Sequence, residues 1–208
     1  MHIAILTFDG FNELDSLIAL GILNRVQKPD WRVSIASPTR WVESMNGVTI
    51  ERNIPLEEVC AADVVIIGSG MKTREVATND QIMSKLQLNP ARQLIAAQCS
   101  GALLLAKLGL LNGVPACTDL TTKPWVEEAG VEVLDQAFFA KDNVATAGGC
   151  LASQYLAAWV IARLEGVETA QNAIHYVAPV GEKTAYVDNA IKNIAPYLPD
   201  HMCESNRY

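Results

Sequence analysis

The segment Leu94-Ile95-Ala96-Ala97-Gln98-Cys99-Ser100-Gly101-Ala102-Leu103 decides the fold. Residues 94–98, apolar up to Gln98, have the length of a buried strand, and residues 100–110 read as a helix that Asn112-Gly113 terminates. A strand that passes into a helix this abruptly presses together the residues two before and two after the turning point, so both must be small. Here they are Ala97 and Gly101, and the residue between them is Cys99. A thiol at the start of a helix feels the positive end of the dipole and free backbone N–H groups, which favour the thiolate. The sequence therefore predicts Cys99 as a nucleophile lifted out by the turn, with a pKa below the roughly 8.5 of a free thiol. The alternative is a small buried residue at a strand end, the commoner fate of a free cysteine.

On either side of this turn, strand-like runs alternate with helix-period segments. Residues 3–8 are apolar except at Thr7, as expected of a parallel strand buried on both faces. Leu14, Leu17, Ile18, Gly21 and Ile22 then fall on one face of a helix, with Asn12 as its N-cap. Strands are expected at residues 33–36, 48–50 and 63–67, the last running into Gly68-Ser69-Gly70, with a helix near 80–88. Short strands follow at 114–118 and 131–134, and a hairpin pairs 138–140 with 144–146. A helix over 151–164, without charge until Arg163 and ended by Gly166, is expected to be buried. The pattern predicts an α/β fold: one domain over residues 1–198, a mostly parallel sheet sandwiched by helices, with residues 199–208 as a polar tail.

Composition narrows the function. The 208 residues carry 23 acidic and 16 basic side chains, a net charge of -7, and no Lys/Arg cluster, so nucleic acid is not an expected partner. No run approaches the roughly 18 apolar residues of a membrane span, and the N-terminus lacks the charged start of a secretory signal. The five cysteines are scattered, with no C-x-x-C pair and no histidine at a metal-ligand spacing. They read as reduced thiols of a cytoplasmic protein, with no metal and no cofactor implied. Cys117 and Cys150 read as core, Cys60 as packing and Cys203 as a tail thiol, while His2, His175 and His201 stand far from the turn in sequence.

Five segments resemble the ThiJ/PfpI superfamily, in the branch that contains isonitrile hydratase. They are Gly10-Phe11-Asn12-Glu13-Leu14-Asp15, the strand 63–67 leading to Gly70, Thr73-Arg74-Glu75, the Cys99 turn continuing to Gly109-Leu110-Leu111, and Thr146-Ala147-Gly148-Gly149 before the long helix. The resemblance spans roughly residues 1–166 and implies a fold of the class I glutamine amidotransferase type. It also implies a carboxylic acid hydrogen-bonded to the cysteine, which by motif is Asp15, and backbone N–H donors at Gly70 and Ser100. Asp15 has a second reading, as a charge that complements the dipole of its own helix, and Glu13 is the other candidate acid. The family often has Pro-Gly-Gly where this chain has Gly68-Ser69-Gly70, and the hydratase branch tends to place a histidine where Cys117-Thr118-Asp119-Leu120 stands here. Asp119 is therefore read either as a residue that tunes the site or as a solvated loop carboxylate.

These features predict a cofactor-free enzyme that acts on a small electrophilic carbon through Cys99, with proton transfer by Asp15; by resemblance it is isonitrile hydratase-like. Alternatives are an oxidative-stress sensor or protective protein using the same cysteine, a glyoxalase- or amidase-like activity, or a ligand-sensing module. The expected partners are a small-molecule substrate and a second copy in a homodimer, with no membrane. Substrate choice is expected to lie in residues 71–79 and 120–129.

Overall fold

The structure, a computed structural model, describes residues 1–199. Cys203, His201 and all but the first residue of the expected tail lie outside the described residues. In chain order, strand β1 (His2–Leu6) leads to helix α1 (Glu13–Leu23) and strand β2 (Arg32–Ser37). A small ribbon of β3 (Trp41–Glu43) and β4 (Thr49–Glu51) precedes β5 (Ile54–Pro55), and β6 (Val64–Ile67) is followed by the short helices α2 (Thr73–Ala77) and α3 (Asp80–Met83). Strand β7 (Leu94–Gln98) enters α4 (Gly101–Lys107), and α5 (Lys123–Glu128) precedes the hairpin of β8 (Phe138–Lys141) and β9 (Val144–Ala147). Three helices close the fold: α6 (Ser153–Glu165), α7 (Val167–Val177) and α8 (Lys183–Ile194).

Seven strands form one sheet in the order β5-β2-β1-β6-β7-β9-β8, parallel except where β8 meets β9. Strand alternation divides the core. Ile3 and Ile5 of β1 face a layer of α1, α6, α7 and α8, while Ala4 and Leu6 face the opposite layer, built around α4. This two-sided burial is why the central strands lack polar alternation. Helix α6 runs through the first layer with every residue from Leu156 to Ala162 fully buried, as its uncharged sequence predicted. Among the described residues, no helix is long and apolar enough to cross a membrane.

The expected α/β architecture is present, and several local expectations are corrected. The inward face of α1 is Asp15, Ser16, Ala19, Ile22 and Leu23, rotated from the predicted stripe, so that Leu14 is 51% exposed. Apolar periodicity misleads here because two polar side chains are drawn inward. Residues 114–118 and 131–134 share one bridge, Ala116 to Val133, and form no strand; the helix expected over 80–88 stops at Met83. Helices α2 and α5 occupy the segments expected to be loops.

Candidate functional site

Chain direction brings α1, the loop after β6, the β7–α4 turn and the segment after β9 to the carboxyl ends of the strands. The chain also changes direction across the sheet between β1 and β6, the place where open α/β sheets bind ligands. Cys99 has φ 46°, a left-handed backbone that few non-glycine residues adopt and that costs about 1–3 kcal/mol. The turn is held from three sides: Cys99 N–H donates to the Ala147 carbonyl (2.8 Å), Thr118 Oγ1 donates to the Cys99 carbonyl (2.8 Å), and Gln98 Nε2 lies 3.5 Å from Cys99 Sγ. Gly101 follows for a steric reason, since a Cβ there would stand 2.6 Å from the Ile67 carbonyl oxygen. Gly101→Ala is expected to destabilise the protein by at least about 2 kcal/mol, read as a lower midpoint in urea with an unchanged slope.

Asp15 is brought to the thiol by α1. It is 1% exposed; its Oδ2 accepts the Ser69 hydroxyl, while its Oδ1 is buried without a hydrogen-bond partner. The Asn12 N–H bond to the Ser69 carbonyl (2.8 Å) ties the start of this helix to the loop after β6. Asp15, Cys99 and Cys150 have ligand-type atoms all within 4.8 Å of one another, the group among the described residues with donors close enough to hold a metal ion. Burial pushes the Asp15 carboxyl above the usual carboxylate range, while the Ser69 hydroxyl and the two thiols pull the other way and Asp119 adds to the rise.

Two expectations for Cys99 are corrected. It is 4% exposed rather than lifted into solvent, and its thiol is raised, not lowered. Desolvation is the main cause and the neighbouring Asp15 charge the next, and together they outweigh the start of the seven-residue helix α4. Thiol and carboxyl thus compete for one proton. Cys117, pushed up to about 12 by burial, is the inert core thiol expected, with its N–H bonded to Thr146 Oγ1 (2.8 Å).

The other anticipated residues are placed as follows. Gly70 lies beside the turn, and its N–H donates to Ser100 Oγ (3.2 Å), which in turn shares a hydrogen bond with Thr73 Oγ1 (2.7 Å). Asp119 borders the cavity beside Cys99, yet its Oδ1 accepts the N–H groups of Thr121 and Thr122 (3.0 and 2.9 Å), so it shapes its loop and acts on Asp15 only through charge. Glu13 turns to Ser44 Oγ (3.2 Å) instead of the thiol. His2 is occupied by Ser34 and Arg32 at the other end of β1.

Sequence reasoning missed Ser69 and Cys150. Ser69 was read as part of the loop shape alone, although a hydroxyl in the Gly-x-Gly loop facing an acid-bearing helix was an available signal. Cys150 was read as core, but it is half-buried, takes the Asn12 amide N–H at 3.2 Å and borders the cavity. That cavity, about 430 Å³, is lined by Cys99, Cys150, Ser100, Met45, Met71 and Trp125 among others, so it draws on both segments expected to govern substrate choice.

The profile of the DJ-1/PfpI family matches residues 1–163. Isonitrile hydratase from Pseudomonas putida is 25% identical over 169 residues, covering 76% of this chain and 74% of that protein. Among solved structures, a ThiJ/PfpI family protein from Pseudomonas syringae superposes with a TM-score of 0.76 at 19% identity, covering 93% of this chain and 87% of that one. DJ-1 from Schizosaccharomyces pombe superposes with a TM-score of 0.74 at 16% identity, covering 86% and 100% respectively.

Proposed function

The chain belongs to the DJ-1/PfpI family, and from that premise we propose that it is a cofactor-free hydratase that converts an isonitrile to an N-substituted formamide. The observation that carries the reading is the unpartnered, buried Oδ1 of Asp15 beside the Cys99 thiol. The carboxylate takes the thiol proton as sulfur bonds to the terminal isonitrile carbon, then returns that proton to the same carbon, giving a thioimidate. Water adds to the thioimidate, the C–S bond breaks, and the formamide leaves with the thiol regenerated. Because one proton cycles between two groups whose pKa values are both raised, no histidine is needed. The backbone N–H groups of Gly70 and Ser100 are suited to the oxygen of the tetrahedral adduct, which requires Gly70 to exchange its Ser100 Oγ contact for substrate. Asp119 contributes by holding the Asp15 pKa up.

Purified protein assayed against aliphatic and aromatic isonitriles, 2-oxoaldehydes and small amides, with Cys99→Ser as control, tests this reading. Formamide release that depends on Cys99 is expected. Turnover confined to 2-oxoaldehydes or amides replaces it with a glyoxalase- or amidase-like activity. Absence of any Cys99-dependent turnover leaves the oxidative-stress reading, which the second thiol at the site favours.

We also propose a cytoplasmic homodimer. Support comes from an apolar groove of about 390 Å³ between α1 and the segment after α7, lined by Leu17, Ile18, Leu151, Val177 and Pro179, with Leu14 and Val180 exposed nearby. The surplus apolar surface lies on α1 and beyond α7, not on the buried α6 as its sequence suggested. Ile18→Glu is expected to convert a dimer to a monomer in sedimentation at micromolar concentration; a monomeric wild type removes the proposal.

A further inference from the structure

Cys150 has no part in the hydration step, yet it is the group most favourably placed to meet an oxidised Cys99. Their sulfurs lie within 4.8 Å across the cavity. The two thiols differ in setting. Cys99 is fixed in a tightly bonded turn, whereas Cys150 is half-buried, opens a single 3-10 turn and follows Gly149 at φ 87°, a backbone position with freedom to adjust. Burial and the Asp15 charge push the Cys150 thiol up, and the Asn12 amide N–H, 3.2 Å from Cys150 Sγ, pulls the other way, so what favours Cys150 as the partner is its position.

We propose that Cys150 is a resolving thiol that captures oxidised Cys99 as a reversible intramolecular disulfide. A hydroperoxide transfers one oxygen to the Cys99 sulfur, giving a sulfenic acid and the corresponding alcohol, or water when the oxidant is hydrogen peroxide. The Cys150 sulfur then attacks the Cys99 sulfur; the S–S bond forms, the S–O bond breaks, and water leaves with the Cys150 proton. A small-molecule dithiol reverses the step, reducing the disulfide as it is itself oxidised. Closing a gap of no more than 4.8 Å to the roughly 2 Å of a disulfide needs rotation about the side chains and a small shift of the Gly149–Cys150 segment. With its thiol proton gone, Cys99 has nothing to pass to Asp15, so the disulfide is an off state that also blocks further oxidation to the sulfinic acid.

The inference rests on Cys99 being oxidisable, not on the identity of the hydrated substrate, and the test needs no substrate. Full-length protein is treated with equimolar hydrogen peroxide, quenched in acid and digested without reduction. A cross-linked peptide pair containing Cys99 and Cys150, about 2 Da lighter than the separate thiols and released by dithiothreitol, is expected. Cys150→Ser and Cys150→Ala, each checked for native circular dichroism, should instead retain a sulfenic acid at Cys99 that dimedone traps, and then progress to a sulfinic acid about 32 Da heavier than the thiol. Sulfinic acid at Cys99 of the wild type without this cross-link overturns the proposal. So does a bridge to Cys203 or to a second chain, or Cys150 variants that oxidise as the wild type does. Formamide release by the reduced enzyme is scored separately, so failure of the hydratase reading is visible on its own.

Discussion

Cys99→Ser is expected to lower formamide production by at least about 1000-fold while leaving the protein folded. The hydroxyl is a far weaker nucleophile at a carbon that a soft sulfur attacks readily. Its proton is also harder to remove than the already raised proton of the thiol. The backbone argues against a trivial loss through misfolding. Serine meets φ 46° with the same steric restriction as cysteine, and the bonds to Ala147 and Thr118 use only main-chain atoms of this residue. Thermal melts and steady-state rates for Cys99→Ser beside Cys60→Ser, a thiol outside the site, give the comparison. Retained turnover in Cys99→Ser would remove sulfur from the mechanism.

Asp15→Asn is expected to lower turnover by roughly 100-fold or more, and at neutral pH to leave the protein as stable as the wild type or more so. The sign of the stability change follows from linkage. Burial raises the folded-state pKa of Asp15 above the ordinary unfolded value of about 3.9. Between those two values the native state holds more protons than the unfolded chain, so stability falls as pH rises through the window and the cost persists at neutral pH. Asparagine does not ionise and carries no such cost, and its amide oxygen still accepts the Ser69 hydroxyl. The melting-temperature difference should therefore shrink as pH is lowered towards 4. Removing the charge also lowers the Cys99 pKa, so alkylation of Cys99 should be faster in the variant. If Asp15 only complemented its helix dipole, the same change would cost about 1 kcal/mol or less and spare the rate. Loss of turnover in Glu13→Gln alone would transfer the role to Glu13, against its contact with Ser44.

The parts of the fold legible in the sequence were those where a local rule and the tertiary structure agree. Residues 94–98 are β7 with the boundaries expected, because β6 and β9 pair it on both sides along this stretch and the left-handed backbone of Cys99 ends it. Small residues at 97 and 101 located the turn because their constraint is steric and nearly local. The rotation of α1 was not legible, since Asp15 and Ser16 turn inward only in the presence of the loop after β6, some 50 residues away in the chain. The rise in the Cys99 pKa was hidden for the same reason. The helix start is written beside the thiol, but the burial and the carboxylate that outweigh it come from elsewhere. Cys150 looked like core because its neighbours in sequence are apolar; its nearness to Cys99 follows from the adjacency of β7 and β9.

Helix α1 is a rod of eleven residues, roughly 16 Å long, with Asp15 on its inner side and Leu14 and Ile18 on its outer side. A stiff rod transmits a push on one side to the other almost undiminished. Conservative changes at Leu14 and Ile18 are therefore expected to be felt at the carboxylate on the other side. In the proposed dimer, a change in how the two copies meet on this side is expected to alter the catalytic rate as well, and specific activity to fall on dilution.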